Sequence, residues 1–278
     1  MMIVDSQIHI WGADTPERPW PHGHIPPHRP VPFSAEDLWQ EMKVAKVDRA
    51  ILVPPLWEGA RNDLALDAVQ GHPDAFAIMG RIKPEKPASR GLLATWRQQS
   101  GMLGLRLVLW RLPLRALLAE GQLEWLWAEA EQAGVPIMVF IEPLQMPLMD
   151  EVAQRYPGLK LVMDHLCLPK GEKDDVAFAH LDTLLAMAVR PNVAVKATTL
   201  PVYTTDRYPY RRVHAHLRRV YDAFGPKRIF WGSDITRLPG TYRQAVTMFT
   251  EEIPWLTNDD KQWIMGRGVC EWLGWELA

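Results

Sequence analysis

The stretch Ile3-Val4-Asp5-Ser6-Gln7-Ile8-His9-Ile10-Trp11 is the part of the sequence that most constrains the fold. Its apolar residues predict a buried strand almost at the start of the chain. Side chains along a strand alternate between its two faces, so Asp5, Gln7 and His9 share one face. Polar groups on a buried strand need hydrogen bonds, a metal ion or a ligand. The stretch therefore predicts that the first strand contributes to a functional site.

Strands and helices alternate through the rest of the chain. Ser34 is expected to cap the first helix, with Asp37 in its acidic first turn. Further strands are predicted at residues 49–55, 76–84, 102–110, 136–143, 160–169, 192–201 and 228–235. Further helices are predicted at residues 62–71, 88–99, 123–133, 146–156, 178–189, 211–224, 242–252 and 259–272. Parallel strands need crossover connections, and eight such units predict a (β/α)8 TIM barrel.

An open doubly wound sheet is the competing architecture. Against it, no Gly-x-Gly-x-x-Gly motif follows a predicted strand, and several strands end in polar residues. A TIM barrel runs to about 250 residues as one domain, so we expect one barrel domain over residues 1–278. A content of 47% hydrophobic and 23% charged residues suits a large core.

Composition and charge also indicate which kinds of molecule the protein binds. The net charge of -2 gives no concentrated basic face for nucleic acid or an anionic membrane, so we expect a small-molecule substrate. Cys167 and Cys270 are too few to suggest a disulfide framework, and neither a signal peptide nor a long apolar run is apparent. We expect a cytoplasmic protein and leave open whether it forms a homo-oligomer.

A long proline-rich loop is predicted after the first strand. Residues 12–33 contain seven prolines together with His22, His24 and His28. A loop of this length in a compact domain usually has a function, and proline stiffens it at low entropic cost. We expect it to lie over the mouth of the site. Each single histidine in it is interpreted as a surface residue.

TIM-barrel active sites lie at the C-terminal ends of the strands. Asp234 ends the stretch Ile229-Phe-Trp-Gly-Ser-Asp234, whose glycine and serine would let a ligand approach the carboxylate. The structural alternative is an aspartate that caps the next helix. His9 and His165 should reach the same mouth. Arg106 is expected either to bind substrate or to pair with a core carboxylate such as that of Glu142.

These motifs resemble those of the amidohydrolase superfamily. Asp5-x-Gln7-x-His9 is similar to its Asp-x-His-x-His start. Met163-Asp-His-Leu-Cys-Leu-Pro169 resembles the Asp-His-Leu-Gly-Lys-Pro segment of the lactonase-like branch, which includes sugar lactonases and 2-pyrone-4,6-dicarboxylate lactonases. The same branch is matched by Gly104-Leu-Arg106, Val195-Lys196, Trp231-Gly-Ser-Asp234 and Ile264-Met-Gly-Arg-Gly-Val-Cys-Glu-Trp-Leu-Gly274.

The resemblance implies a hydrolase, and within it a lactonase that opens a cyclic ester. Asp234 would be the general base toward water, and His9 and His165 would complete the catalytic set. The expected substrate-binding residues are Arg106, Gln7, Lys196, Glu142, Lys83 and Trp11. Ester hydrolysis needs a base to activate water and donors to hold the developing oxyanion, and these residue types can supply both.

Gln7 is a departure from the superfamily pattern. Most members have two metal-binding histidines in the first strand, whereas Gln7 stands in place of the first, and glutamine is a poor zinc ligand. We therefore expect that no cofactor is required. A divalent metal such as zinc, if bound, would use His9, Asp234 and Gln7.

Two other functions stay open. The superfamily contains non-oxidative decarboxylases with a related aspartate, but these generally need a metal, which Gln7 disfavours. A non-catalytic small-molecule binder that kept the fold is the second alternative, because fold alone does not establish activity. The presence of His9, His165 and Asp234 in one mouth argues for an enzyme.

Overall fold

The computed structural model describes residues 1–276, and its strands form one parallel sheet in sequence order. The strands are β1 Val4–Ile8, β2 Arg49–Leu52, β3 Phe76–Gly80, β4 Met102–Val108, β5 Ile137–Phe140, β6 Leu161–Met163, β7 Val193–Thr198 and β8 Ile229–Gly232. The backbone amide of Asp234, just after β8, donates to the carbonyl of Gln7 in β1 (3.0 Å). The sheet is therefore a nearly closed (β/α)8 barrel, which confirms the predicted fold class.

The side chain of Asp5 joins the two sides of the β1–β8 seam. Its Oδ1 accepts from the backbone amides of Gln7 and Ser233, both at 2.9 Å, and its Oδ2 accepts from the hydroxyl of Tyr242 at 2.8 Å. Gly232 ends β8 at the same place, and a Cβ there would lie 2.8 Å from Ser6 Oγ. The interpretation that this glycine makes room for a ligand is wrong, because protein atoms of the seam occupy that space.

The helices connect the strands. They are α1 Ala35–Ala45, α2 Asp63–Gly71, α3 Leu114–Ala119, α4 Glu124–Ala133, α5 Met146–Arg155, α6 Asp174–Ala177, α7 Leu181–Ala186, α8 Arg211–Phe224, α9 Tyr242–Thr250, α10 Asn258–Gln262 and α11 Gly268–Leu273. The predicted cap of α1 is confirmed, since Ser34 Oγ accepts from the amide of Asp37 (3.1 Å). No helix in the described part of the chain is long and apolar enough to cross a membrane.

Two predicted helices differ from the structure. Residues 88–99 contain the 3₁₀ helix Leu92–Gln98 and no α-helix, because Gly91, with φ +80°, interrupts the chain before it. The stretch predicted at 259–272 is divided between α10 and α11 by a π-helical turn, Trp263–Arg267. Short helices α3 and α6 were not predicted.

Every strand residue is buried, and the barrel interior changes character along its axis. One apolar cluster inside the barrel includes Val4, Met138 and Phe230, and α11 covers it with Val269. Arg106 pairs with Met138, and Lys196 pairs with Phe230, in the strand register. The charged side chains thus lie next to this apolar cluster, and Nζ of Lys196 is 3.4 Å from Met138 Sδ.

Residues 12–32, between β1 and α1, contain neither helix nor strand. The segment is closed at its ends by an antiparallel bridge between Trp11 and Phe33. The buried carboxylate of Glu58 holds it against the barrel, accepting from the amide of Gly12 (2.8 Å) and from Nε of Arg18 (3.0 Å). Part of this segment therefore has a fixed position next to the strand ends.

Candidate active site

A cavity of about 320 Å³ lies at the C-terminal ends of the strands. It is lined by His9, Ile25, Pro26, His28, Leu56, Trp57, Arg106, Trp110, Phe140, His165, Lys170, Asp234 and Arg237. Aromatic and apolar walls surround a few converging polar groups, as in sites that bind small molecules.

The carboxylate of Asp234 is the only acidic group in this lining. It is 1% exposed, and its Oδ2 accepts from the hydroxyl of Thr199 (3.1 Å). Its Oδ1 has no hydrogen-bond partner among residues 1–276 and lies 3.7 Å from His9 Nε2 and 3.9 Å from His28 Nδ1. Buried polar atoms are normally satisfied, so Oδ1 is available to accept a hydrogen bond from a molecule in the cavity.

The protonation states of this group follow from burial and neighbouring charge. Burial raises the pKa of Asp234, but His9, His28, Arg237 and His165 outweigh it and lower the pKa to about 2. Burial lowers the pKa of His9 to about 3 and that of His28 to about 4. At neutral pH an ionised carboxylate therefore faces neutral imidazoles.

The hydrogen bonds of His9 fix which of its nitrogens carries the proton. Nδ1 lies 2.5 Å from the carbonyl oxygen of Val53, which can only accept, so Nδ1 holds the proton. The one acceptor lone pair of the ring is then on Nε2, and the side-chain amide of Gln7 donates to it at 3.2 Å. Asp234 Oδ1, 3.7 Å from Nε2, is thus the acceptor in this space that no donor among residues 1–276 engages.

His165 is held from behind by two hydroxyls. Its Nδ1 lies 2.7 Å from Thr198 Oγ1 and 3.0 Å from Thr199 Oγ1. Because Thr199 donates its proton to Asp234, Thr198 is the hydroxyl free to donate to Nδ1. That arrangement places the imidazole proton on Nε2, the nitrogen that remains for a ligand.

The backbone at these residues is strained. His165, Leu166 and Cys167 have φ of 52°, 52° and 53°, and Asp234 has φ of 52°. Left-handed conformations of this kind cost residues other than glycine about 1–2 kcal/mol each. Such strain is concentrated at functional sites, where it fixes side-chain directions that regular structure does not give.

A buried charge network lies beneath the cavity. Nε of Arg106 donates to Asp164 Oδ2 at 2.9 Å, and Nζ of Lys196 lies 3.1 Å from Asp164 Oδ1. Burial raises the pKa of Asp164, but Lys196 and Arg106 hold it well below its usual range. The three groups carry a net positive charge close to the carboxylate of Asp234.

Arg106 lines the cavity and also pairs with a core carboxylate, but its partner is Asp164 and not Glu142, the example considered from the sequence. Side chains from alternate strands share a layer inside a TIM barrel, so Arg106 on β4 meets the residue that follows β6. Glu142 is half-buried outside the cavity lining, and its backbone amide donates to Gln145 Oε1 (3.1 Å).

Two further cations border the mouth of the cavity. Nζ of Lys170 lies 4.4 Å from the ring centre of Trp110. Nη1 of Arg237 lies 3.9 Å from Asp234 Oδ2. With Arg106, they give the lining three basic side chains of lysine and arginine against one carboxylate. The cavity therefore favours an anionic occupant.

A sequence model of the amidohydrolases matches residues 4–267. The chain belongs to the amidohydrolase family. It is 24% identical over 255 residues to an L-fucono-1,5-lactonase of Burkholderia ambifaria, covering 86% of this chain and 82% of that protein. An amidohydrolase of Burkholderia multivorans, solved with bound zinc, superposes with a TM-score of 0.81 at 21% identity over 99% of both chains. A probable 2-pyrone-4,6-dicarboxylic acid hydrolase of Acinetobacter baumannii, solved with citric acid, gives 0.80 at 16% identity over 99% of this chain and all of the other.

The structure brings together four of the expected site residues of this amidohydrolase. His9, Arg106, His165 and Asp234 all line the cavity. Gln7 and Lys196 do not line it, and are fully buried beneath it, where the Lys196 ammonium donates to Gln7 Oε1.

Two other expected substrate-binding residues lie away from the cavity lining. Lys83 is exposed to solvent. Trp11 is buried against Phe33 and Trp57, with ring centres 5.8 Å and 5.3 Å away. Their placement gives them no contact with the cavity of this amidohydrolase.

Several residues of the cavity lining were not predicted from the sequence, because they lie in the loops that follow the strands and not in the strands. Trp57 follows two prolines after β2, Lys170 follows Pro169, and Arg237 lies three residues past Asp234. The interpretation of His28 as a surface residue is wrong, since it is half-buried in the lining. Closeness to the strand-end motifs could have indicated Lys170 and Arg237, whereas nothing in the sequence distinguished His28 from His22 and His24.

The expected metal ligands do not fit a metal ion. Gln7 Oε1 accepts from the ammonium of Lys196, and its amide hydrogens are directed at His9 Nε2, the lone pair that would bind the metal. A catalytic zinc needs about three protein ligands. No three His, Cys, Asp or Glu side chains among residues 1–276 are arranged to hold one. The buried cation at Lys196 further disfavours a second positive charge at this position.

Proposed function

We propose that this amidohydrolase is a lactonase that hydrolyses a small cyclic ester bearing a carboxylate. The observation that supports this most directly is Oδ1 of Asp234, an ionised carboxylate oxygen in the cavity lining that has no hydrogen-bond partner among residues 1–276. Family membership supports a hydrolase, and the lactonase name of a relative supports the substrate class.

Oδ1 of Asp234, which has no hydrogen-bond partner among residues 1–276, is the acceptor that the cavity offers to a water molecule. With one hydrogen on Oδ1, the water can direct a lone pair into the cavity, toward a bound carbonyl carbon. Asp234 takes the proton as the oxygen–carbon bond forms. His165 Nε2 and the guanidinium of Arg106, both in the lining, stabilise the oxyanion that develops on the carbonyl oxygen.

The charge of the cavity supports an acidic substrate. Arg106 holds the reacting carbonyl in this scheme, which leaves Lys170 and Arg237 at the mouth for a separate carboxylate. Citric acid in the structurally similar Acinetobacter hydrolase is likewise a polyanion. A volume of about 320 Å³ suits a single substituted ring.

We further propose that hydrolysis needs no metal. Asp234 can bind and deprotonate water, and the positive charge that a metal would supply is provided by the network of Arg106, Lys196 and Asp164. This proposal rests on the donor set and on the hydrogen bonds of Gln7.

The test is a panel assay that separates the three candidate functions. Purified protein is offered sugar lactones, their carboxylated counterparts and carboxylated pyrones, while acid release is followed with a pH indicator and carbon dioxide is measured in parallel. Acid release without carbon dioxide is expected. Carbon dioxide release would indicate a decarboxylase, and tight binding by calorimetry without turnover would indicate a non-catalytic binder.

A further inference from the structure

Opening a lactone requires a proton for the ring oxygen that leaves. Asp234 acquires a proton from water, and most other polar groups in the cavity have a different task. The Nδ1 proton of His9 is held by the Val53 carbonyl, and its Nε2 is an acceptor. The Nε2 proton of His165 faces the oxyanion. His28 is the remaining imidazole in the lining.

We propose that His28 delivers the proton to the leaving ring oxygen. This inference rests on the lactonase function proposed above and adds a catalytic residue from the loop after β1. His28 Nδ1 lies 2.7 Å from the hydroxyl of Thr236 and 3.9 Å from Asp234 Oδ1. After His9, it is thus the imidazole nearest to Asp234. It belongs to a different part of the chain, the loop after β1.

Packing holds the His28 ring in one orientation. Its edge meets the indole of Trp57 with centres 4.8 Å apart and the ring of His9 at 5.5 Å. With Nδ1 engaged by Thr236, Nε2 is the nitrogen left for a substrate in the cavity. A side chain only 17% exposed is shielded from bulk water, as proton transfer to a bound substrate requires.

The proton balance of the step is complete. The water oxygen bonds to the carbonyl carbon, and its proton passes to Asp234. As the bond between that carbon and the ring oxygen breaks, His28 Nε2 gives its proton to the ring oxygen, while the Thr236 hydroxyl releases Nδ1 and Nδ1 receives the proton from Asp234. One water is consumed and the carboxylate is ionised at the end. The imidazole is then neutral with its proton on Nδ1, and proton exchange with solvent after product release returns the proton to Nε2. The 3.9 Å separation must shorten in the complex, as catalytic contacts commonly do.

The test compares two carboxylated lactones that differ in the leaving oxygen. An aliphatic aldarolactone releases an alcohol, which needs a proton, whereas a pyrone dicarboxylate releases a stabilised enolate, which needs it much less. For His28→Gln we expect kcat on the aldarolactone to fall about 10²–10³-fold and kcat on the pyrone to fall less than about fivefold. His24→Gln, in the same loop but outside the lining, is the matched control and should leave both unchanged.

The outcomes are separable. An equal loss on both lactones, or no loss on either, would overturn the role of His28 while leaving the lactonase function intact. Inactivity of the unaltered protein on both would overturn the lactonase proposal itself. As a second measurement, added imidazole should restore the aldarolactone activity of His28→Ala, and failure of that rescue together with an equal loss would assign His28 to structure alone.

Discussion

Burial acts in opposite directions on the pKa values of the acidic and basic groups that face the cavity. It disfavours the charged form of each group, so it lowers the pKa values of His9 and His28 and opposes ionisation of Asp234. The surrounding positive charge reverses the outcome for Asp234 alone, whose pKa falls to about 2. The result is a base that is ionised and histidines that are neutral at the same pH.

This combination predicts an unusual pH profile for an enzyme with three histidines in its site. The active form needs Asp234 deprotonated and His9 and His28 neutral, and their pKa values are about 2, 3 and 4. We expect kcat/KM to be constant from about pH 5.5 to about pH 8 and to fall only below about pH 5. Initial rates across buffers of constant ionic strength measure this. An inflection near the ordinary histidine pKa of about 6.5 would contradict it.

The hydrogen bonds of Gln7 predict the response to chelation. Because the side chain of Gln7 is hydrogen-bonded to Lys196 and His9, we expect dialysis against EDTA to leave activity within about twofold of its starting value. Metal content measured on the same samples by mass spectrometry is the control. Complete loss that zinc alone restores would refute metal-independent hydrolysis.

The candidate site residues at the ends of strands could be predicted from the sequence. Those in loops could not. His9, Arg106, His165 and Asp234 were predictable because the ends of parallel barrel strands converge, whatever the exact backbone. His28 enters the cavity only through the path of residues 12–32, which no periodic pattern describes. Its neighbours His22 and His24 have the same local chemistry and lie elsewhere.

Ionic contacts between side chains connect β4, β6 and β7 inside the barrel. Asp164, which follows β6, is 0% exposed and is the carboxylate that both Arg106 and Lys196 contact. Replacing one partner of a buried ion pair leaves uncompensated charge, which is far more costly than losing an exposed pair. Removing one member of this network should therefore destabilise the protein strongly, even though the cost of burying the charges offsets much of their mutual attraction.

Asp164→Asn is expected to lower the free energy of unfolding by about 3–5 kcal/mol, because two buried cations lose their counter-charge. The measurement is urea unfolding followed by tryptophan fluorescence. Asp222→Asn is the matched control, since it breaks the exposed Arg218–Asp222 pair on α8 and should cost less than about 0.5 kcal/mol. Equal costs for the two substitutions would mean that the network is not coupled as its geometry indicates.

The alternation of strand and helix was readable from periodicity, but helix type was not. The apolar spacing of residues 88–99 is compatible with an α-helix, and the structure has a 3₁₀ helix there. Gly91 takes a left-handed conformation before it, and Trp96 Nε1 donates to the carbonyl of Gly104 in β4 (3.0 Å). Tertiary contact with the sheet decides the local geometry, and this contact cannot be predicted from the spacing of apolar residues.

The whole molecule and its cavity differ in charge. The chain has a net charge of -2, yet Lys170, Arg237 and Arg106 make the cavity cationic. We expect D-glucaro-lactone, which has a carboxylate, to be preferred over neutral D-glucono-lactone by at least about tenfold in kcat/KM, and added salt to weaken the preference. Lys170→Met should reduce the ratio, while Lys83→Met, at an exposed site outside the lining, should not. A neutral lactone used as well as its acidic counterpart would contradict an acidic substrate.

We propose that Asp234 activates the hydrolytic water. Acid release from the best lactone, measured side by side for the unaltered protein and Asp234→Asn, tests this role. Asparagine tolerates the left-handed backbone of this position and keeps the side-chain shape, so folding and substrate binding should persist in thermal unfolding and calorimetry. We predict a loss of about 10³-fold in kcat with binding intact. Residual turnover above about a tenth of the original rate, in a folded variant that binds substrate, would show that another group is the base.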